Sequence, residues 1–426
     1  MKYLSFEINK YRAINYAQVA VSNSLIPIIG INESGKTTVL QAILAFDKEK
    51  DKYNSVAHLV HKNRYTIGDQ EGSVIASVLF ESEEEVDEVA GNLKLEVSSP
   101  LYESLKKHQR ENLPIKIART FPSKKYSIIN EDLRDSNHKG DKFALELFEK
   151  LPFILYFDDF SDRVPSVVNF NINLEENSKY VIPKSQNIEW HLILEEVFSR
   201  SSEGLDLQEF IRANDSADQS GIINDIQDNL QRDVVEDWKN LKKKFGDDIG
   251  EESENLQLKL GWVFSDDKKT ISFSFNVEDR STGKGRDFGV TERSKGFQWF
   301  FNFIMKLKYN PKYKSNLKGA IYLLDEPGSY LHNSAQVELL KKLKEISQTN
   351  TILYCTHSEY LLDPEIINIS NIRIARKEGG NIEVLPIGSA GKAQQEGAFA
   401  PLYKALHMKS GFFEKDIDYP VITEGI

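Results

Sequence analysis

A single cysteine, Cys355, among 426 residues leaves no partner for an intrachain disulfide and rules out a zinc cluster built from thiolates; such usage suits a reducing compartment. No stretch approaches the ~18 consecutive apolar residues of a spanning helix, so no membrane passage by a helix is expected. The first residues, Lys2-Tyr3-Leu4-Ser5-Phe6-Glu7-Ile8, alternate as a strand does and lack the apolar core of a signal peptide, which makes a cytoplasmic protein the expectation. Positive charge is in deficit: 54 Lys+Arg against 65 Asp+Glu leave −11. Any nucleic-acid contact therefore has to come from a local basic patch rather than the general field. The length is that of roughly two to three domain-sized units, large enough for a core that needs no covalent staples.

What the chain does have is a phosphate cradle. Leu25 to Ile29 is an apolar run the length of one buried strand, Gly30 ends it, and Thr37 to Leu44 has the pattern of a helix. Gly30 and Gly35 fit GxxxxGK[ST], a P-loop, in which small residues let backbone N–H groups curl round phosphate oxygens at the positive end of the following helix. Gly30, Asn32, Glu33, Ser34, Gly35, Lys36, Thr37 and Thr38 are the expected nucleotide-binding residues. Lys36 would reach the β- and γ-phosphates of ATP, and the Thr37 hydroxyl would ligate Mg²⁺.

Three further stretches complete the chemistry. Ile321 to Leu324 is an apolar strand ending in Asp325-Glu326. Beside a P-loop, Asp325 is placed to hold Mg²⁺ through water, and Glu326 to polarise the water that attacks the γ-phosphate. A helix from Gln336 to Ile346 and a strand from Thr351 to Cys355 follow; this βαβ step brings His357 beside Glu326, where it can sense the phosphate. Ser294 and Gly296 open an apolar helix and so make a second anion-binding end. A second such end makes sense if it closes over the nucleotide of another copy, which predicts a head-to-head homodimer with two ATP molecules at the joint.

The rest of the chain reads as residues 1–80, a strand-rich lobe with the P-loop; 81–186, an inserted lateral lobe; 187–250, a helical arm; 251–390, a second ATPase lobe; and 391–426, a linker with one more strand. In the arm, Ile223, Ile226, Leu230, Val234, Trp238 and Leu241 stripe one face, and packing within the same domain is favoured over a long coiled coil. Leu256 to Phe264 and Thr270 to Val277 resemble a hairpin, and Gly283 to Val290 reads as a loop. Asp158, Asp159 and Asp162 follow a strand but suit turn capping better than metal binding. Arg12 either leans on the nucleotide or is a solvated loop residue.

Gly30 to Thr37, Glu292 to Trp299, Leu323 to His332 and Cys355 to Ser358 resemble, in order, the motifs of ABC-type heads of the SMC and RecF kind. Within that group the chain most resembles the ATPase part of the OLD (overcoming lysogenization defect) nucleases. The resemblance implies an α/β, ABC-type P-loop ATPase head, dimerisation on ATP, Ser294 and Gly296 acting across the joint, and Asp325, Glu326 and His357 as metal, water and switch residues. Two departures stand out: Ser294-Lys295-Gly296-Phe297-Gln298 replaces the Ser-Gly-Gly-Gln of transporters, and Gln70 is only the nearest candidate for the glutamine loop. Tyr419 to Ile426 resembles the first strand of a Toprim domain, with Glu424 as its glutamate but without the later Asp-x-Asp. The expectation is therefore an ATP-hydrolysing, Mg²⁺-dependent module without nuclease activity of its own. It would control a Toprim-type DNA nuclease, fused or separate, in anti-phage defence. The alternatives are an ATP-dependent sensor scaffold that holds an effector protein, as in the PARIS defence system, and a RecF-like DNA-repair ATPase.

Overall fold

The computed structural model describes residues 1–21, 24–52, 57–64, 70–134, 140–158, 163–183, 188–201, 206–213, 215–243, 256–280, 284–309 and 319–387. An antiparallel pair, β1 (Lys2–Tyr11) and β2 (Ile14–Ala20), opens the chain and is followed by the short β3 (Leu25–Ile29), in which every residue is buried. Helix α1 (Lys36–Leu44) leaves from its end, and β4 (Gly72–Leu79) returns to pair with β1. Then come α2 (Glu83–Leu93), α3 (Pro100–Arg110), β5 (Ile115–Phe121), β6 (Tyr126–Ile128), α4 (Gly140–Glu149) and β7 (Ile154–Asp158). Ser82 and Ser99 cap α2 and α3 through their hydroxyls, the usual remedy for unpaired N–H groups at a helix start.

The middle of the chain builds β8 (Val168–Asn173), β9 (Lys179–Val181), α5 (Ile188–Ser199), α6 (Leu207–Arg212), α7 (Ser216–Leu230) and α8 (Glu236–Lys243). The hairpin β10 (Leu256–Phe264) and β11 (Thr270–Asp279) follows, with β12 (Arg286–Gly289) on its edge. The last described part is α9 (Lys295–Lys308), β13 (Ile321–Asp325), α10 (Asn333–Ile346), β14 (Thr351–Cys355), β15 (Arg373–Glu378) and β16 (Asn381–Pro386).

Eleven strands form one sheet in the order β6, β5, β4, β1, β2, β16, β15, β3, β14, β13, β7. One half is antiparallel; β3, β14, β13 and β7 run parallel. The parallel strands are apolar except at their ends, where Asp158, Asp325 and Thr351 stand, because both faces are covered. Ile26, Ile28, Ile321, Leu323, Leu353 and Cys355 face a core shared with α1 to α4, whereas Leu25, Ile29, Tyr322, Leu324, Ile352 and Tyr354 face one shared with α5, α7, α9 and α10. Between the halves, β16 runs parallel to β2 with Ile382 opposite Ile14, and the Ile382 N–H donates to the Ala13 carbonyl at 2.7 Å.

Several expectations need correction. Residues 81–186 do not sit apart as one lateral lobe: β5 and β6 extend the main sheet through β4, β7 joins its opposite edge, and β8 and β9 enter a second sheet with β10, β11 and β12. Part of the stretch read as a loop, Arg286–Gly289, is a strand paired with β11. The helices of 187–250 pack on that second sheet, the packing within the same domain that their stripe favoured, with Ile226, Leu230 and Val234 fully buried. Their stripe survives a register problem: steps of four overshoot a 3.6-residue turn by about 40° each. A π-turn at Gln231–Val235 widens the helix there and returns Val234 and Trp238 to the buried face. Gln231 anchors this turn, donating to the Leu256 carbonyl and accepting the Leu258 N–H, both at 3.0 Å. Residues 391–426, with Glu424, lie outside the described residues, as do Asp159 and Asp162.

A buried ion pair fixes the end of α1. The Arg119 guanidinium on β5 donates to the Ala45 carbonyl at 2.7 Å and to both carboxylate oxygens of Asp51, and His58 Nε2 lies 3.4 Å from Asp51. Burial pushes the Asp51 carboxyl up, but hydrogen bonds from His58 and Arg119 outweigh it and hold the group below its ordinary value. Asp51→Asn leaves a buried guanidinium without its charge partner and is expected to cost about 3 kcal/mol, read as a lower urea midpoint. A carboxyl with a lower pKa folded than unfolded adds stability above the unfolded value and loses it as pH falls through the folded one. The gap between wild type and Asp51→Asn is therefore full at neutral pH and narrows only below 3.8.

Candidate functional site

The ends of β3, β14 and β13 lie side by side, and their following residues converge. At the end of β3, Gly30 admits no side chain: a Cβ there would lie 2.4 Å from Ser34 Oγ and 2.5 Å from the Ala375 carbonyl. Gly35, at φ 99°, turns the chain into α1. Glu33 also takes a left-handed backbone, φ 63°, so the loop curls with Asn32, Glu33, Gly35, Lys36, Thr37 and Thr38 lining one cleft of about 680 Å³. Ser34 is withdrawn from that cleft; its side chain is buried and its N–H donates to the Ile31 carbonyl.

Lys36 Nζ sits at the centre, donating to the carbonyls of Gly30 at 3.2 Å and Ile31 at 3.3 Å. His357 Nε2 is 2.6 Å away and Glu326 Oε1 4.0 Å. Burial and then the Lys36 charge push the His357 pKa down, so the ring is neutral at neutral pH and Nε2 accepts from the Lys36 ammonium. Burial lowers Lys36 as well, against the attraction of Glu326. The Glu326 carboxyl moves up through burial, which outweighs the Lys36 charge and a hydrogen bond from the His357 backbone. A raised carboxyl beside a cleft is the property wanted of a base that takes a proton from water. Glu326 also holds a left-handed backbone at φ 50°, a conformation costing a non-glycine residue roughly 1–2 kcal/mol.

Thr37 Oγ1 donates to Asp325 Oδ1 at 3.1 Å, and the Tyr156 hydroxyl lies 3.5 Å from Oδ2. A hydroxyl and a carboxylate facing one another beside a phosphate cradle are hard oxygen donors of the kind Mg²⁺ takes when nucleotide and water complete its shell. Among the described residues no cluster of three or more His, Cys, Asp or Glu could hold a metal without such help. Mg²⁺ bound there would neutralise the charge that develops on the phosphates.

Ser294 caps α9, its hydroxyl accepting the Phe297 N–H at 3.3 Å. Ser294 and Lys295 are exposed, and neither Ser294 nor Gly296 is among the described residues that line the cleft. Gly296 is buried against the turn after β13, where an added Cβ would lie 3.2 Å from the Tyr330 carbonyl. Gln298 is turned inward onto the carbonyls of Thr291 and Arg293.

Apart from Arg12, the far wall of the cleft escaped sequence reasoning. Arg12, Lys62, Asn63, Arg64, Lys377 and Ile382 line it, the last two brought there by the pairing of β15 and β16 between β3 and β2, which no local motif announces. Arg12 is engaged with its own wall, donating to the Val60 carbonyl at 2.8 Å and to Gln41 at 2.6 Å. Gln70 accepts from the Asn63 N–H behind this wall and donates to the Lys10 carbonyl, and it is not among the described residues that line the cleft.

The profile of the AAA ATPase domain family matches residues 1–362. Over 388 residues the chain is 24% identical to the endonuclease GajA of Bacillus cereus, an alignment covering 89% of this chain and 59% of that protein. Over 96 residues it is 38% identical to an uncharacterized protein of Methanocaldococcus jannaschii, 22% of this chain and 25% of the other. The chain thus spans less than two thirds of either relative. Solved structures similar to it include an Smc head bound to the C-terminal winged-helix domain of ScpA, with a TM-score of 0.47, 12% identity and coverage of 92% of this chain and 100% of that one. The Pyrococcus furiosus Smc head with an extended coiled coil gives 0.46 and 13%, covering 97% and 100%.

The Thr37–Asp325 contact makes a prediction about the metal. Thr37→Val should weaken Mg²⁺-dependent ATP binding about tenfold while leaving binding in excess EDTA within about twofold of wild type, as measured by titration calorimetry.

Proposed function

The chain belongs to the AAA ATPase domain family, and from this premise we propose that it binds and hydrolyses ATP with Mg²⁺, dimerises on ATP, and controls a Toprim-type DNA nuclease. The observation that carries the hydrolytic reading is the convergence of Lys36, Glu326 and His357 within 4.0 Å of one another in the cleft, beside the Thr37–Asp325 pair. In this reading the P-loop amides and Lys36 hold the phosphates. Glu326 takes the proton of the attacking water, and neutral His357, in the tautomer protonated at Nε2 once Lys36 has turned to the phosphates, donates to a γ-phosphate oxygen.

The dimer reading is supported by the exposed start of α9, since Ser294 is a helix cap outside its own chain's cleft and is free to meet a phosphate held by a second copy. Control of a nuclease is supported by the relative named an endonuclease, of which this chain spans 59%. A role in anti-phage defence follows from the OLD resemblance alone.

Turnover tests the enzyme: Glu326→Gln should lower kcat at least a hundredfold while still binding ATP, and a wild type no faster than this variant would end the hydrolytic reading. Ser294→Arg separates the two ends of the site. It should bind ATP as wild type does yet remain monomeric with ATP in analytical ultracentrifugation; equal dimerisation of the two proteins would contradict the dimer reading.

A further inference from the structure

Two loops carry the γ-phosphate residues, the turn after β13 with Glu326 and the segment after β14 with His357. One buried side chain joins them. Gln336, in the first turn of α10, donates through Nε2 to the carbonyls of Gly328 and Leu331, each at 3.1 Å, and its Oε1 accepts from the Ser358 hydroxyl. Ser358 follows His357 directly, and its N–H donates to Thr356 Oγ1 at 3.0 Å. On the other side, the 328–331 turn rests on the start of α9. The Tyr330 carbonyl and the Leu331 side chain abut Gly296, and the Lys295 ammonium lies 5.3 Å over the Tyr330 ring.

We propose that Gln336 is a positioning residue that couples the His357 segment to the start of α9, so that engagement of the γ-phosphate in a chain's own cleft sets the Ser294–Gly296 end that the same chain offers to its partner. The inference rests on the ATPase and dimer reading above and deepens it. Its physical content is a rigid link. The Gln336 amide is buried and uses both its donor and its acceptor side, so a shift of Ser358 must either carry the 328–331 turn along or leave buried polar groups unpaired. That turn has little slack: Gly328, at φ 72°, is packed so closely that an added Cβ would lie 2.8 Å from Leu339. A displaced turn therefore pushes on Gly296.

The test compares wild type with Gln336→Met, which keeps the volume and removes all three hydrogen bonds, and with Ser358→Ala, Ser358→Thr and the Gln336→Met/Ser358→Ala double variant. For Gln336→Met and Ser358→Ala, the dissociation constant for ATP should stay within about threefold of wild type while kcat and ATP-driven dimerisation fall about tenfold. The double variant should be no worse than Gln336→Met alone, because both changes cut one link. Ser358→Thr keeps the hydroxyl and should retain wild-type kcat, which decides the matter even if Gln336→Met fails to fold. Additive losses, a lower melting temperature with intact kcat, or equal loss in the Thr and Ala variants would each overturn the coupling. A wild type that neither hydrolyses ATP nor dimerises would instead remove the parent reading, and the coupling with it.

Discussion

Everything in this protein hangs on β14 lying between β3 and β13. The two strands that carry the Gly30–Thr37 loop and the acidic pair are separated by almost three hundred residues of chain, yet both form parallel ladders with the same five-residue strand. Because hydrogen bonding fixes register, Cys355 stands opposite Asp325 on one side and Ile28 on the other. The residues just beyond these ends have nowhere to go but one shared edge. The burial of all three strands on both faces holds that register, since a slip by one residue would exchange the two cores.

The site is built at the expense of local comfort. A lysine, a glutamate and a histidine share a partly buried cluster in which burial disfavours each charged form. Glu326 adds a left-handed backbone, held by its N–H donating to the Cys355 carbonyl at 3.1 Å. Such a set is not what a chain adopts for stability; the surrounding double core over-determines it. The same logic separates the two polar clusters. Arg119 and Asp51 form a closed ion pair under α1, whereas the Lys36 cluster opens into a cleft that can admit phosphate.

How much of this was legible in the sequence follows from distance along the chain. The ATPase motifs and their flanking elements could be read because each is local: a strand, a turn of defined residue types and a helix within about fifteen residues. Thr351–Cys355 and Leu256–Phe264 fall where their apolar patterns put them. What was not legible depends on remote pairing. The charged segment after Phe80 looks like a solvated lobe because its strands alternate with polar helices, but Ile115, Ile117 and Phe121 of β5 are buried against β4 and its neighbours. Lys377 and Ile382 reach the cleft only through β15 and β16, whose placement between β2 and β3 carries no local mark. The π-turn was equally hidden, since the Gln231 side chain that anchors it bonds to a strand twenty-five residues away.

The seam between β2 and β16 has a mechanical meaning. Across it the sheet is registered by one facing pair, Ile14 and Ile382, whereas the ladders on either side run for six paired positions. The cleft straddles that seam, with Arg12 and Ala13 on one bank and Lys377, Ile382 and the P-loop on the other. A ligand spanning both banks acts as a rivet through the thinnest part of the sheet. Its binding energy would add to the single backbone pairing that joins the halves there.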